Sequence, residues 1–115
     1  ARWMGTPYAY GGNTLQGIDC SGLTCAIYSN VYKTKLHRRS IDQYKFDCHS
    51  VGVPRQGDLL FFAFSDQVNV SHINHVGIHL RDNRFIHASS SRGVVVDNMT
   101  SYFQRHLVAV GRVKQ

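Results

Sequence analysis

The apolar pattern of this 115-residue chain changes its period near Pro54, and this change constrains the fold. After Pro54, apolar residues alternate with polar ones or form short runs, as strands require. Five strands are predicted, at Asp58–Phe64, His75–Leu80, Arg84–Ser89, Gly93–Asp97 and Leu107–Val113. The connections between them are too short for crossover helices, so we expect an antiparallel sheet.

The residues before Pro54 have helical spacing instead. Leu23, Ile27 and Val31 recur every four residues, which predicts a helix over about Cys20–Tyr32 with this stripe facing the core. Asp19, just before it, is a suitable N-cap. Shorter helical segments are expected at Ser40–Phe46, capped by Ser40, and near Thr100–Arg105. A helix followed by strands indicates the α+β class.

Composition restricts the partners. Thirteen Lys and Arg face seven acidic residues, for a net charge of +6. A basic surface suits an anionic polymer, although a charge run is as often a solvated loop. Five basic residues lie close together in sequence: Lys33, Lys35, Arg38, Arg39 and Lys45. We find no nucleic-acid-binding motif and therefore expect no nucleic-acid partner. No apolar run approaches the roughly 18–20 residues of a membrane span.

The length fits one domain, residues 1–115. The sequence begins at Ala1, and its first residues resemble no targeting signal. We therefore expect a catalytic domain from a longer precursor, with any targeting segment upstream.

Cys20 is the candidate nucleophile, because it would be the first residue of the predicted helix. The helix dipole and unpaired backbone N–H groups there are expected to lower its thiol pKa and to stabilise an oxyanion. The alternative is a buried structural cysteine, which we expect Cys25 to be. Cys25 and Cys48 could also form a disulfide in an oxidising compartment.

His75 and His87 are the candidate base and its orienting partner. They lie on two predicted strands joined by a short turn at Arg81–Asn83, so a hairpin would bring their side chains together. Gly77 would leave open space beside the His75 ring. His79, further along the same strand, is a rival for either role, orienting residue or base. The remaining histidines are expected at the surface: His37, His49, His72 and His106.

Five short motifs occur in a characteristic order. They are Gly-Thr-Pro-Tyr-Ala-Tyr-Gly-Gly from Gly5, Asp-Cys-Ser-Gly-Leu from Asp19, Gly-Asp-Leu-Leu-Phe-Phe from Gly57, His-Val-Gly-Ile from His75 and Phe-Ile-His-Ala from Phe85. In this order and spacing the chain resembles the NlpC family of papain-like cell-wall peptidases, from Gly5 to about Arg112. Two features depart from the family pattern: Tyr10 stands where a Trp is frequent, and the loop Ser65–Asn74 is longer than in many members.

The resemblance implies a papain-like minimal core, in which the nucleophile helix packs on an antiparallel sheet of about five to six strands. It implies that Cys20 is the nucleophile, His75 the base and His87 the third polar residue, while Tyr8 helps to bind the oxyanion. It also implicates Asp19, Ser21 and Ser40 in substrate binding.

The resemblance further implies a D,L-endopeptidase of the cell envelope, acting as a monomer without metal or cofactor. Its substrate would be the peptidoglycan stem peptide or a muropeptide fragment, cut after γ-D-glutamate and before diaminopimelate or Lys. Three alternatives stay open. The same residues could perform amidase or acyl-transfer chemistry, Cys20, His75 and His87 could bind zinc, or the domain could bind cell wall without catalysis.

Overall fold

Six strands form one antiparallel sheet in the computed structural model, which describes residues 2–115. The elements, in chain order, are β1 (Asn13–Thr14), β2 (Gly17–Ile18), α1 (Cys20–Ile27), α2 (Ser40–Asp42), β3 (Cys48–Ser50), β4 (Leu59–Phe62), β5 (His75–His79), β6 (Arg84–Ser89), β7 (Gly93–Asn98), α3 (Ser101–His106) and β8 (Leu107–Val113). The spatial order is β3-β8-β4-β5-β6-β7, while β1 and β2 pair separately. The α+β class with an antiparallel sheet is therefore confirmed.

The five predicted strands are present, and β6 and β8 have the predicted bounds. Asp82 and Asn83, at the tip of the β5–β6 hairpin, both have positive φ, as a tight two-residue hairpin turn requires. The sequence analysis missed β3 and the β1–β2 pair. Each of these strands has two or three residues, too few for an alternating pattern to emerge.

The predicted long helix is shorter than expected. Helix α1 ends at Ile27, and a π-helical turn follows over Tyr28–Tyr32. Because a π turn joins residues five apart, it takes more residues per turn and shifts the inward face. Tyr28 is therefore buried, and its hydroxyl donates to the Gly57 carbonyl. Val31 is 65% exposed, so its predicted inward position is wrong.

The second helical segment differs from the prediction at its start. Arg39, without a side-chain cap, precedes α2, and Ser40 is the first helical residue, so the expected Ser40 cap is wrong. A π-helical turn continues over Gln43–Asp47. The buried Gln43 side chain accepts a hydrogen bond from the Thr24 hydroxyl. This contact joins the segment to α1.

Apolar side chains cover both faces of the sheet. In β4, Leu59 and Phe61 belong to the cluster packed under α1. The alternate residues, Leu60 and Phe62, pack with Phe85 in a second cluster under α3. Burial on both sides explains why β4 is continuously apolar. Among the described residues, no helix has the length and apolar character needed to cross a bilayer.

The packing of α1 can be tested with two truncations in the same predicted stripe. Leu23→Ala removes a fully buried side chain and should lower the free energy of unfolding by about 2–5 kcal/mol. Val31→Ala is the matched control, since its exposed side chain should contribute less than about 0.5 kcal/mol. Chemical denaturation measures both values, and equal losses would contradict the inward shift at the π turn.

Candidate active site

A buried carboxylate fixes the start of α1. One oxygen of Asp19 accepts the backbone N–H of Gly22 at 2.8 Å, which confirms Asp19 as the N-cap. The other oxygen accepts the N–H of Gly11 at 2.8 Å, and Arg38 lies 3.0 Å from the first oxygen. Cys20 is consequently the first residue of α1.

Strand β5 passes beside the half-buried Cys20 sulfur. The backbone N–H of Val76 is close enough to the sulfur to stabilise a thiolate there, and His75 is the preceding residue. Cys20 and His75 line the same cleft of about 500 Å³. Its walls also include Tyr8, His87, Arg92 and the aromatic side chains Phe64, Tyr102 and Phe103. The structure thus brings both predicted reactive groups to one accessible space.

The ionisation of Cys20 differs from the expectation. Burial raises the pKa of its thiol above the ordinary value of 9.0, although the N–H groups of Val76, Ser21 and Cys20 itself lower it. Burial, and secondly the neighbouring His87, lower the pKa of His75 below the ordinary 6.5. The helix start was expected to lower the thiol pKa, and that expectation is wrong, because the cost of burying a thiolate outweighs the local N–H groups. Burial thus favours the uncharged form of both side chains.

The two histidines are in direct contact. His75 Nε2 lies 2.8 Å from His87 Nδ1, with the rings nearly perpendicular. Strands β5 and β6 pair Ile78 with Ile86, and continuing this register places His87 one diagonal step from His75. The predicted hairpin therefore brings these rings together as the sequence indicated.

Two residues that the sequence analysis did not single out complete this cluster. His87 Nε2 lies 2.8 Å from an oxygen of Asp97 on β7. Arg92, in the turn before β7, donates to both oxygens of Asp97, at 3.1 and 2.5 Å. No short-range sequence signal identifies them, since the contact depends on the register of β6 against β7.

The predictions for Gly77 and for the other histidines are confirmed in part. Gly77 does not open space beside His75, because Phe85 and His87 pack against it. His79 lies at the other end of β5, outside the cleft. His37, His49 and His72 are exposed as expected. His106 is half-buried and hydrogen-bonds to the Ala63 carbonyl at 2.9 Å, so its predicted surface position is wrong.

A second cleft of about 390 Å³ adjoins the other side of Cys20. It is lined by Tyr8, Asp19, Ser21 and Ser40, which the sequence analysis named, and by Arg38, Arg39 and Asn74, among others. Arg38 donates to the Ser21 hydroxyl at 2.8 Å. Asp19 and Ser21 are therefore already engaged inside the protein, whereas Ser40 has no comparable partner described.

The paired cysteines and the zinc site considered from the sequence are not seen among the described residues. All three cysteines are free thiols, so the suggested Cys25–Cys48 disulfide is not formed. Cys25 is half-buried, and its thiol donates to the His37 carbonyl at 3.3 Å. Within residues 2–115, no three His, Cys, Asp or Glu side chains are arranged to hold a metal ion. Both ring nitrogens of His87 already have protein partners.

The fold is that of the papain-like class, in which a helix presents a cysteine to a cleft shared with a histidine of the adjoining sheet. The chain belongs to the NlpC/P60 family, whose sequence model matches residues 5–112. This confirms the resemblance carried by the five motifs.

Related proteins agree with this assignment. "Probable endopeptidase NlpC" of Escherichia coli is 35% identical over 118 residues, covering 96% of this chain and 71% of the relative. A crystal structure of an NlpC/P60 family protein from Bacillus cereus superposes with a TM-score of 0.86 at 29% identity, covering 96% of this chain and 36% of the other.

Two further relatives have names that state an activity. "Murein DD-endopeptidase MepS/Murein LD-carboxypeptidase" of Escherichia coli is 34% identical over 115 residues, covering 98% of this chain and 58% of the relative. "Gamma-D-glutamyl-L-lysine dipeptidyl-peptidase" of Bacillus subtilis is 32% identical over 119 residues, covering 97% and 38%. The family therefore includes peptidoglycan endopeptidases.

The neutral state of Cys20 can be tested by alkylation with iodoacetamide. Because only the thiolate reacts and burial raises the thiol pKa, the Cys20 rate should rise with pH through a midpoint above 9.0. A variant carrying Cys25→Ser and Cys48→Ser confines the reaction to Cys20, and mass spectrometry follows it. A rate already half-maximal in acid would instead reveal a resting thiolate–imidazolium pair.

Proposed function

We propose that this domain is a peptidoglycan endopeptidase that hydrolyses the stem-peptide bond after γ-D-glutamate, before diaminopimelate or Lys. The observation that carries the proposal is the shared cleft of Cys20 and His75, within a family of peptidoglycan endopeptidases. The γ-glutamyl bond is supported by the sequence motifs and by the name of the Bacillus subtilis relative.

In the proposed mechanism, His75 is a general base rather than half of a resting ion pair. His75 Nε2 contacts His87, so Nδ1 is the nitrogen left to face the thiol. Nδ1 takes the thiol proton as the Cys20 sulfur attacks the γ-glutamyl carbonyl. The resulting imidazolium then donates this proton to the departing amine, which leaves a thioester. Water, deprotonated by His75, attacks the thioester carbonyl; the C–S bond breaks, the γ-carboxylate is released, and the imidazolium returns its proton to the Cys20 sulfur.

Tyr8 is the side-chain donor that we propose for the oxyanion of this reaction. Its segment runs beside β2, where the Ile18 N–H donates to the Pro7 carbonyl at 3.0 Å. Burial, followed by the nearby Cys20 and Asp19, raises the pKa of the Tyr8 hydroxyl. The hydroxyl therefore remains protonated and can donate, together with the Cys20 backbone N–H, to a developing oxyanion.

The second cleft suits the acyl side of the stem peptide. A γ-linked glutamate retains a free α-carboxylate, and Arg39 and Ser40 offer a positive charge and a hydroxyl along this cleft. Asp19 and Ser21 would act here mainly by holding Arg38 in place. We propose that Ser40, unlike Asp19 and Ser21, contacts the substrate directly.

The setting of the reaction follows from its substrate. A domain that cuts peptidoglycan acts in the cell envelope, and the net charge of +6 suits that anionic polymer. We propose that it acts as a monomer, since each of the groups invoked above belongs to this one chain.

A second candidate activity is cleavage of the cross-link between stem peptides, favoured by the 34% identity to the murein DD-endopeptidase. An amidase would instead free the sugar from L-Ala, and a wall-binding domain would release nothing. Mass spectrometry of muropeptides before and after digestion distinguishes the four outcomes by the masses of the fragments.

Substitution of the nucleophile gives a direct test on L-Ala-γ-D-Glu-diaminopimelate. Cys20→Ala should abolish release of L-Ala-γ-D-Glu while leaving the fold intact, because the side chain is at the helix surface of the cleft. Cys25→Ala is the control and should retain activity, since Cys25 lies outside this cleft. Turnover by the Cys20→Ala variant would reject the mechanism.

The oxyanion role of Tyr8 can be tested with Tyr8→Phe. Loss of one donor should lower kcat by about 10²-fold with little change in KM, because the contact forms only in the transition state. Tyr32→Phe, which removes an equivalent hydroxyl away from the cleft, should leave both constants unchanged. A rise in KM at constant kcat would show that Tyr8 binds substrate instead.

A further inference from the structure

The mechanism above uses His75 and His87 but not the charged pair behind them. Asp97 accepts from Arg92 through both oxygens and lies 2.8 Å from His87 Nε2. The β6–β7 register pairs His87 with Val95, so Asp97 is a diagonal neighbour of His87 on the same face of the sheet. A continuous path of polar contacts therefore runs across three strands and ends on a carboxylate.

An ionised carboxylate can only accept hydrogen bonds, and this determines the protons of both rings. Facing Asp97, His87 must carry its proton on Nε2. A neutral imidazole has one N–H, so His87 Nδ1 is a bare acceptor. His75 must then donate to it from Nε2. The remaining nitrogen of His75, Nδ1, is left with the lone pair that a general base needs.

Arg92 keeps the carboxylate in its acceptor state. The Arg92 hydrogen bonds, which outweigh the opposing effect of burial, hold the pKa of Asp97 below its ordinary value. The side chain of Asp97 is 18% exposed and that of Arg92 is 51% exposed, so the charge of the pair is partly solvated while His87 is buried. The path thus leads from the reacting imidazole to a stable negative charge near solvent.

The side chains packed around His75 and His87 cannot select a tautomer by themselves. Phe62 and Phe85 pack against His75 and His87 respectively, and Phe103 of α3 packs edge-on against His87. These apolar rings offer no hydrogen bond that could select a tautomer. Without Asp97, either nitrogen of His87 could carry the proton. The tautomer with the proton on Nδ1 would force His75 to accept at Nε2 and to protonate Nδ1, which removes the base.

We propose that Asp97 is a positioning residue that fixes the tautomers of His87 and His75, and that Arg92 holds Asp97 ionised for this purpose. The inference rests on the proposed function for its catalytic consequence, but the tautomers themselves are a property of the resting protein. A competing interpretation is that Asp97 and Arg92 only fasten the turn between β6 and β7.

The test compares Asp97→Asn with Asp82→Asn, using kinetics on the tripeptide and ¹⁵N NMR of the histidine rings. Asn keeps the size of Asp97 but can donate as well as accept. We expect kcat to fall by at least about 10-fold with KM little changed, as a wrong tautomer lowers turnover rather than binding. Asp82 lies at the exposed β5–β6 turn, where Asn also tolerates positive φ, so the control should match the wild type.

The spectra separate a positioning role from a structural one. In the wild type, both rings should be protonated at Nε2 and bare at Nδ1, whereas Asp97→Asn should shift a substantial share of His87 to the Nδ1–H form. A lower kcat with unchanged tautomers, or changed tautomers with unchanged kcat, overturns the proposal. If the wild type cleaves no stem peptide, the proposed function fails. The ring spectra then still decide the tautomer assignment, and a wild-type His87 protonated at Nδ1 refutes it.

Discussion

The buried carboxylate of Asp19 is the contact on which the arrangement of this domain depends. A buried charge is tolerated only when its hydrogen bonds are satisfied, and three donors from separate parts of the chain satisfy this one. Gly11 belongs to the loop that follows Tyr8, Gly22 to the first turn of α1, and Arg38 to the segment that leads into α2. The Asp19 carboxylate therefore starts α1 at Cys20. It also holds together the segments that form the walls of the second cleft.

Burial, more than local charge, determines the chemistry available to the site. A cysteine at a helix start has N–H groups that favour the thiolate, and here the cost of desolvation exceeds their effect. Burial likewise lowers the pKa of the adjoining His75 and favours its neutral form. In the proposed mechanism proton transfer then accompanies the attack of the sulfur, so it matters which nitrogen of His75 carries the lone pair. This is why the groups behind the histidines matter in a site whose resting charges are small.

The sequence predicted the parts of the fold that depend on neighbouring residues. Period-two patterns located the strands, and the Asp82–Asn83 turn joined β5 to β6, which was enough to bring His75 and His87 together. Features that depend on packing escaped prediction. The π turn that exposes Val31 leaves no mark in the spacing of apolar residues. Asp97 is one acid among seven until the register of β6 and β7 is known.

Two neighbouring residues of β5 at the site, Val76 and His75, face opposite sides of the sheet. Val76 packs in the cluster under α1, whereas His75 contacts Phe62 in the cluster under α3. The Val76 N–H approaches the sulfur, and the preceding residue, His75, is the proposed base. The residue that contacts the sulfur and the proposed base are thus one step of an extended strand apart, about 3.4 Å of rise. This short spacing within β5 is fixed by the strand itself and not by the preceding loop Ser65–Asn74, so it would be kept in a protein with a shorter or longer loop.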